Sequence, residues 1–175
     1  MTKEVQNYQE KPGILVAIDA DELAHALKQL REGYPHSVFG ANVKKVFSGF
    51  TANDEIKLLI RMNHTALTPG EEAVVDYIGT LDTVWLDPPD KINKEFKTRF
   101  EEIFKAPWNE LKPFNKNNEP MAIYYSVKDI RYLRAPIRIS ELRNWSDREY
   151  FLPNYRIKRP TRVLWEPDFL ERIGA

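Results

Sequence analysis

Three short constellations in this 175-residue chain carry side chains capable of chemistry. Glu55-x-Lys57, on a strand-like run, has the carboxylate and lysine used around Mg²⁺ in phosphodiester hydrolysis. That chemistry needs a further acid from a preceding strand, and the nearest candidates, Asp19 and Asp21, fall at a helix start. His64-Thr65 follows the same run and would supply one half of a histidine acid–base pair. The other histidines, His25 on the first helix and His36 before Ser37-Val38, offer no matching half. Asp87-Pro-Pro-Asp90 follows a strand, as the loop of a base-methylating site does. Such a loop stacks an aromatic ring on the target base at its fourth position, where this chain has Asp90. Asp19-Ala-Asp-Glu-Leu is also no glycine-rich cofactor loop. Three scattered histidines and no cysteine make a poor metal set. The expectation is a protein without catalysis of its own, without a cofactor and without a metal.

A different signal comes from the C-terminal half. Trp108, Phe114, Tyr124, Tyr125, Tyr132, Trp145, Tyr150, Phe151, Tyr155 and Trp165 lie among Arg131, Arg134, Arg138, Arg143, Arg148, Arg156, Lys158, Arg159 and Arg162. Guanidinium groups hold phosphates and rings stack on base faces, so this mixture suits nucleic-acid contact. It equally suits a protein–protein hot spot.

These side chains need a framework. Ile14 to Ile18 is a short apolar run bounded by Gly13 and Asp19, a buried strand. Asp19 to Glu22 supplies N-cap candidates and a first-turn carboxylate. Leu23, Ala26, Leu27 and Leu30 follow at helical spacing, and Gly33 closes the helix. Residues 34–54 read as irregular and aromatic. Glu55 to Met62 is a strand, Thr68 to Gly70 a turn, and Ala73 to Ile78 and Thr83 to Leu86 are two strands meeting near Gly79. Asn93 caps a helix with a Phe96, Phe100, Ile103, Phe104 stripe that Pro107 ends. Lys112 to Pro120 is a loop. Met121 to Tyr132 is a long strand, and Ile137 to Ser140 opens another short element. Residues 143–162 are irregular, Val163 to Trp165 is a last strand, and Pro167 to Leu170 is a helical turn. The expected fold is α+β, a mostly antiparallel, twisted sheet or partial barrel of five to six strands with two or three helices. A polar arm, residues 1–12, precedes one domain, residues 13–175.

Composition narrows the class. No run of ~18 apolar residues is present, so no membrane span is expected. The absence of cysteine suits a reducing, cytoplasmic compartment. The 26 basic and 26 acidic residues cancel, which argues against a protein that coats nucleic acid by bulk attraction. The cancellation is uneven. Residues 1–110 carry 13 basic and 18 acidic groups, and residues 111–175 carry 13 and 8. Nine of those last 13 basic residues are arginines, so a polarised surface with one binding face is allowed.

The order of elements resembles the PUA-like group, especially EVE and YTH-type domains. Ile14 to Ile18 with the helix to Leu30 is similar to their opening. Phe39-Gly40 sits where their Trp-Gly pair would be, and Asn53-Asp54 resembles the turn before a strand. Val74 to Gly79 resembles their Gly-containing strand. Tyr125 to Tyr132, followed by Leu133-Arg-Ala-Pro136-Ile-Arg-Ile-Ser-Glu-Leu142, resembles the closing phrase. Thr161 to Ile173, with Asp168-Phe169, resembles the ending. The likeness covers residues 13–173 in short pieces. Phe39 departs from the usual Trp, and the turn lacks its Gly.

The resemblance implies a reader of DNA or RNA that holds one base, often a methylated one, in an aromatic pocket. Some such domains are DNA-recognition arms of modification-dependent restriction complexes, working with a motor or nuclease subunit on a flipped base. By this analogy Phe39, Trp85 and Trp108 would wall the pocket, and Asp19 would present an edge acceptor. Arg131, Arg134, Arg138, Arg143, Arg156, Lys158 and Arg159 would hold phosphates. The alternative is an assembly subunit of a phage or host complex, without a base pocket.

Overall fold

The computed structural model describes residues 10–63, 67–111 and 119–174. His64 and Thr65, Phe114 and most of the expected Lys112–Pro120 loop lie outside them. The fold is α+β. Its six-stranded sheet has the order β2-β5-β4-β3-β1-β6, formed by β1 (Lys11–Asp19), β2 (Ser37–Ala41), β3 (Lys57–Asn63), β4 (Val74–Trp85), β5 (Ile123–Arg138) and β6 (Thr161–Trp165). Among the described residues only β1 with β3 is a parallel pair; the other four pairings are antiparallel. The helices are α1 (Ala20–Arg31), α2 (Lys94–Phe104) and the one-turn α3 (Trp108–Leu111). No helix of the described residues is long and apolar enough to cross a membrane.

β1 is buried on both faces, as its uninterrupted apolar run requires. Ile14, Val16 and Ile18 join one core cluster with Leu23 and Ala26 of α1. Leu15 joins a second with Leu59, Ile78, Val163 and Trp165 on the other face. The strand starts earlier than the sequence suggests. Lys11 and Pro12 pair with Trp165 and Leu164, so two residues of the expected arm belong to the sheet. Proline is tolerated there because pairing with β3 begins only at Ile14.

α1 presents Leu23 and Ala26 to the core and buries Gln29 with them. The Ser37 hydroxyl donates to Gln29 Oε1 at 2.5 Å, fastening the helix to the start of β2. In α2, the Asn93 side chain accepts from the Phe96 N–H at 2.9 Å, as a capping residue should. Its Phe96, Phe100 and Phe104 stripe is fully buried in a third, aromatic cluster. The helix ends at Lys105 in the left-handed conformation (φ 54°), two residues before Pro107.

Two places expected to break strands instead bend them. Gly79 lies within β4, opposite Asp129 and Ile130 of β5, where two residues face one. Asp129 takes φ 54°, a conformation aspartate tolerates, and the bulge bends and twists the ladder. A second register shift separates Leu81 from Val84, and there the Thr83 N–H donates to Ser126 Oγ at 3.0 Å. Near Pro136 the ladder opens over four residues of β5 and then resumes at Ile137. A Cβ on Gly79 would stand 2.5 Å from Val127 Cγ1. Val127 is fully buried and branched at Cβ, so it has little room to move. Gly79→Ala is therefore expected to destabilise the protein by about 1–3 kcal/mol, read as a lower urea midpoint. An unchanged midpoint would show that the bend does not depend on this close approach.

Candidate nucleic-acid interface

The bends have a consequence at the sheet's ends. Three strands separate β2 from β1 in the sheet order. Yet Val16, Ala17 and Ile18 of β1 and Phe39, Gly40 and Ala41 of β2 line one cavity. The sheet curls enough to bring these strands together without closing into a barrel. Tyr125 of β5, Glu22 of α1, Asn42, Val43, and Lys158, Arg159 and Pro160 complete the lining. The volume is about 180 Å³. That is roughly six water volumes at ~30 Å³ each, the scale of one or two small rings and well below a drug-sized pocket.

Aromatic packing makes one wall rigid. Tyr125 stacks on Phe47 with centroids 4.5 Å apart and lies 5.7 Å from Phe39. Phe39 is 1% exposed and Tyr125 2%, so both rings are core and cavity wall at once. Phe47 is held by a turn that Arg162 clamps. Arg162 donates to the carbonyls of Val46 at 3.0 Å and Ser48 at 2.7 Å, and its guanidinium covers the Phe50 ring at 4.5 Å. Arg162 therefore works inside the fold.

The polar groups of the cavity divide into floor and rim. Lys158, Arg159 and Asn42 are exposed, whereas Glu22 is partly buried in the first turn of α1. Burial, with the Asp19 carboxylate as the second cause, pushes the Glu22 carboxyl up to about 7. Burial first, then the negative charge of Glu22, raises the Tyr125 hydroxyl far above its usual value, so it stays a neutral phenol.

The residues expected to form the base pocket separate. Phe39 lines the cavity. Asp19 sits one residue beyond Ile18, exposed at the N-cap position of α1 without a capping bond, and it acts through Glu22 instead. Trp85 and Trp108 are buried in the aromatic cluster with Phe96, Phe100 and Tyr124, and neither lines the Phe39 cavity. The reason is α2: its phenylalanine stripe needs an apolar partner, and these tryptophans supply it. Trp85 also edges a larger open recess of about 830 Å³ beside α2, whose walls carry Lys94 and Arg99 with Asp87, Glu95 and Glu102. Mixed charge without an enclosing aromatic wall makes that recess the weaker candidate.

The phosphate candidates separate as well. Lys158 and Arg159 reach the cavity. Arg131, Arg134 and Arg138 are exposed on the second half of β5 and do not line it. Arg143 pairs with Glu166 at 3.5 Å and lies over Tyr150. Arg156 donates to the Glu71 carbonyl at 3.0 Å. Arg172 holds Glu141 through two bonds of 3.0 and 2.6 Å, which keeps that carboxyl down at about 2. The arginine-rich half thus spends part of its charge inside the fold, on acids of its own segment and on the carbonyls of Val46, Ser48 and Glu71 that no ladder covers.

Glu22, Asn42 and Tyr125 complete a site that sequence reasoning did not assemble. Glu22 was visible only as a helix-start acid, and Tyr125 only as one aromatic of many. Lys57 donates to Thr80 Oγ1 at 2.9 Å along the ladder rather than facing an acid. Among the described residues, no group of three or more His, Asp or Glu side chains is placed to hold a metal. No family model matches the chain, and no curated protein matches its sequence.

Proposed function

We propose that the chain is a nucleic-acid-binding module of the PUA-like, EVE/YTH type, which holds one extruded or unpaired base in the Phe39–Tyr125 cavity. The observation that carries this reading is the cavity itself: ring-sized, walled by two aromatics, with a hydrogen-bonding acid inside and two cations at its mouth. The strand–helix opening and the curled, open sheet agree with the same architecture. Extruding a base costs a few kcal/mol. Base–aromatic contact returns about 1–3 kcal/mol, and a methyl group fitted against the apolar wall adds roughly 0.8 kcal/mol. Lys158 and Arg159 would hold the flanking phosphates. The module would have no catalysis of its own and would deliver a modified site to a motor or nuclease subunit.

Oligonucleotides with and without a methylated adenine or cytosine should bind at low salt. With two phosphate contacts to a single strand, the log–log salt slope should be near −1.4, at ~0.7 per contact. Replacing Lys158 or Arg159 with alanine should each remove about half of that slope, because both are exposed and their loss leaves the core intact. Background-level binding of every oligonucleotide at low salt would overturn the proposal. Self-association without binding would favour the assembly alternative.

A further inference from the structure

Glu22 lines the cavity with the aromatic residues Phe39 and Tyr125, close enough for its charge to act on the Tyr125 hydroxyl. Resting on the base-binding reading above, we propose that Glu22 is the proton-linked specificity residue of the cavity. As a neutral acid it pairs with a base edge that offers one donor beside one acceptor, as adenine and cytosine do. As a carboxylate it rejects that edge and turns to the guanine edge, which offers two donors.

The chemistry follows from the donor and acceptor inventory. A neutral carboxyl has one O–H donor and one carbonyl acceptor, side by side. On adenine, the acid would accept from the N6 amino group and donate to N1. On cytosine it would accept from the N4 amino group and donate to N3. Ionisation removes the only donor and sets a negative oxygen against the ring-nitrogen lone pair. Guanine instead presents N1–H and N2–H together, which two carboxylate oxygens satisfy. A methyl on adenine N6 leaves one amino hydrogen, one on cytosine C5 leaves both, and the ring acceptor stays in place in each. Methyl selection by the apolar wall and edge selection by Glu22 are therefore compatible.

The surroundings allow both protonation states near neutrality. Burial disfavours the carboxylate most, and Asp19 at the end of β1 adds to it. On α1 itself, Asp21 and His25 are exposed neighbours. From β5, Tyr125 is neutral and buried. From the segment before β6, Lys158 and Arg159 face the cavity but are exposed, where water and salt screen them. β2 contributes Phe39, Gly40 and Ala41, which carry no charge.

The test uses duplexes that differ only in one unpaired central base, A, C or G, so that the other bases stay paired. The readout is the ratio of affinities, A or C over G, at about pH 6 and about pH 8. Phosphate contacts cancel in this ratio. In the wild type, with the acid titrating near 7, A or C binding should fall and G binding rise by roughly tenfold each, so the ratio should fall roughly a hundredfold across that range. In Glu22→Gln the side chain keeps one donor and one acceptor at every pH, so the ratio should no longer change with pH. In Glu22→Leu the ratio should approach one at both. A wild-type ratio that does not change with pH, or one that falls equally in Glu22→Gln, overturns the proposal while leaving base binding intact. Retention of no duplex at either pH overturns the base-binding reading and this proposal together.

Discussion

Replacing Phe39 with alanine is expected to cost about 3–5 kcal/mol of stability, the usual range for truncating a fully buried phenylalanine. Phe39 is 1% exposed and sits in the main core cluster with Ile14, Val16, Ile18 and Tyr125. The loss should appear as a lower denaturant midpoint with an unchanged slope. This effect is larger than any binding contribution of a single wall, so Phe39→Ala cannot by itself report on the cavity. Phe39→Leu separates the two roles. It keeps an apolar side chain in the core but removes the ring that lines the cavity. Selectivity for a methylated base should drop by several-fold in Phe39→Leu, with general binding through Lys158 and Arg159 retained. Equal loss of both would mean that the ring matters only for folding.

The second large effect is the pH dependence of stability that Glu22 imposes without any ligand. Its folded-state value is near 7, against the usual 4.5. Between those values the native protein keeps a proton that the unfolded chain has released. Stability therefore falls as pH rises through that window, and the loss is complete above about 7. Glu22 is partly exposed, so the loss is on the order of 2 kcal/mol after allowance for solvent screening. Glu141 has the opposite sign. Held near 2 by Arg172, it stabilises the native state above the usual carboxylate range, and that contribution disappears as pH falls toward 2. Glu22→Gln should flatten the neutral limb and leave the acid limb unchanged. Denaturant titrations at about pH 5 and about pH 8 measure the difference. The same neutral limb in both proteins would falsify the assignment of a partly buried, proton-holding acid at this position.

Much of the local framework is written in the chain. The Ile14–Ile18 run, the Leu23–Leu30 spacing, the Asn93 cap with its phenylalanine stripe, and Asp87-Pro-Pro-Asp90 as a sheet stop are local patterns, and each appears where expected. β2 was not legible: Ser37–Ala41 has no alternation, because four of its five residues are buried, and it is defined by pairing with Ile123–Val127. β4 and β5 looked like broken strands because Gly79 and Pro136 normally interrupt them. Pairing partners far along the chain override that local preference by absorbing the irregularity in bulges.

The candidate site shows the same division. Phe39, Lys158 and Arg159 were legible by type, and Trp85 and Trp108 were equally so, because aromatic residues serve a pocket wall and a core with the same chemistry. Choosing between them requires knowing which surface α2 covers. The apparent basic half is a second case: several of its arginines are used inside the protein, Arg143 and Arg172 on acids of the same half and Arg156 and Arg162 on carbonyls of distant loops. The sequence by itself determined the α+β class, the strand–helix opening, the two longer helices with the Asn93 cap of the second, and the uneven charge, since these depend on neighbours within a few residues. Only the tertiary structure decided that β2 meets β1 across three intervening strands, and that Glu22 shares a cavity with Phe39 and Tyr125. That meeting depends on the accumulated bend of the whole sheet, a property no short stretch of the chain contains.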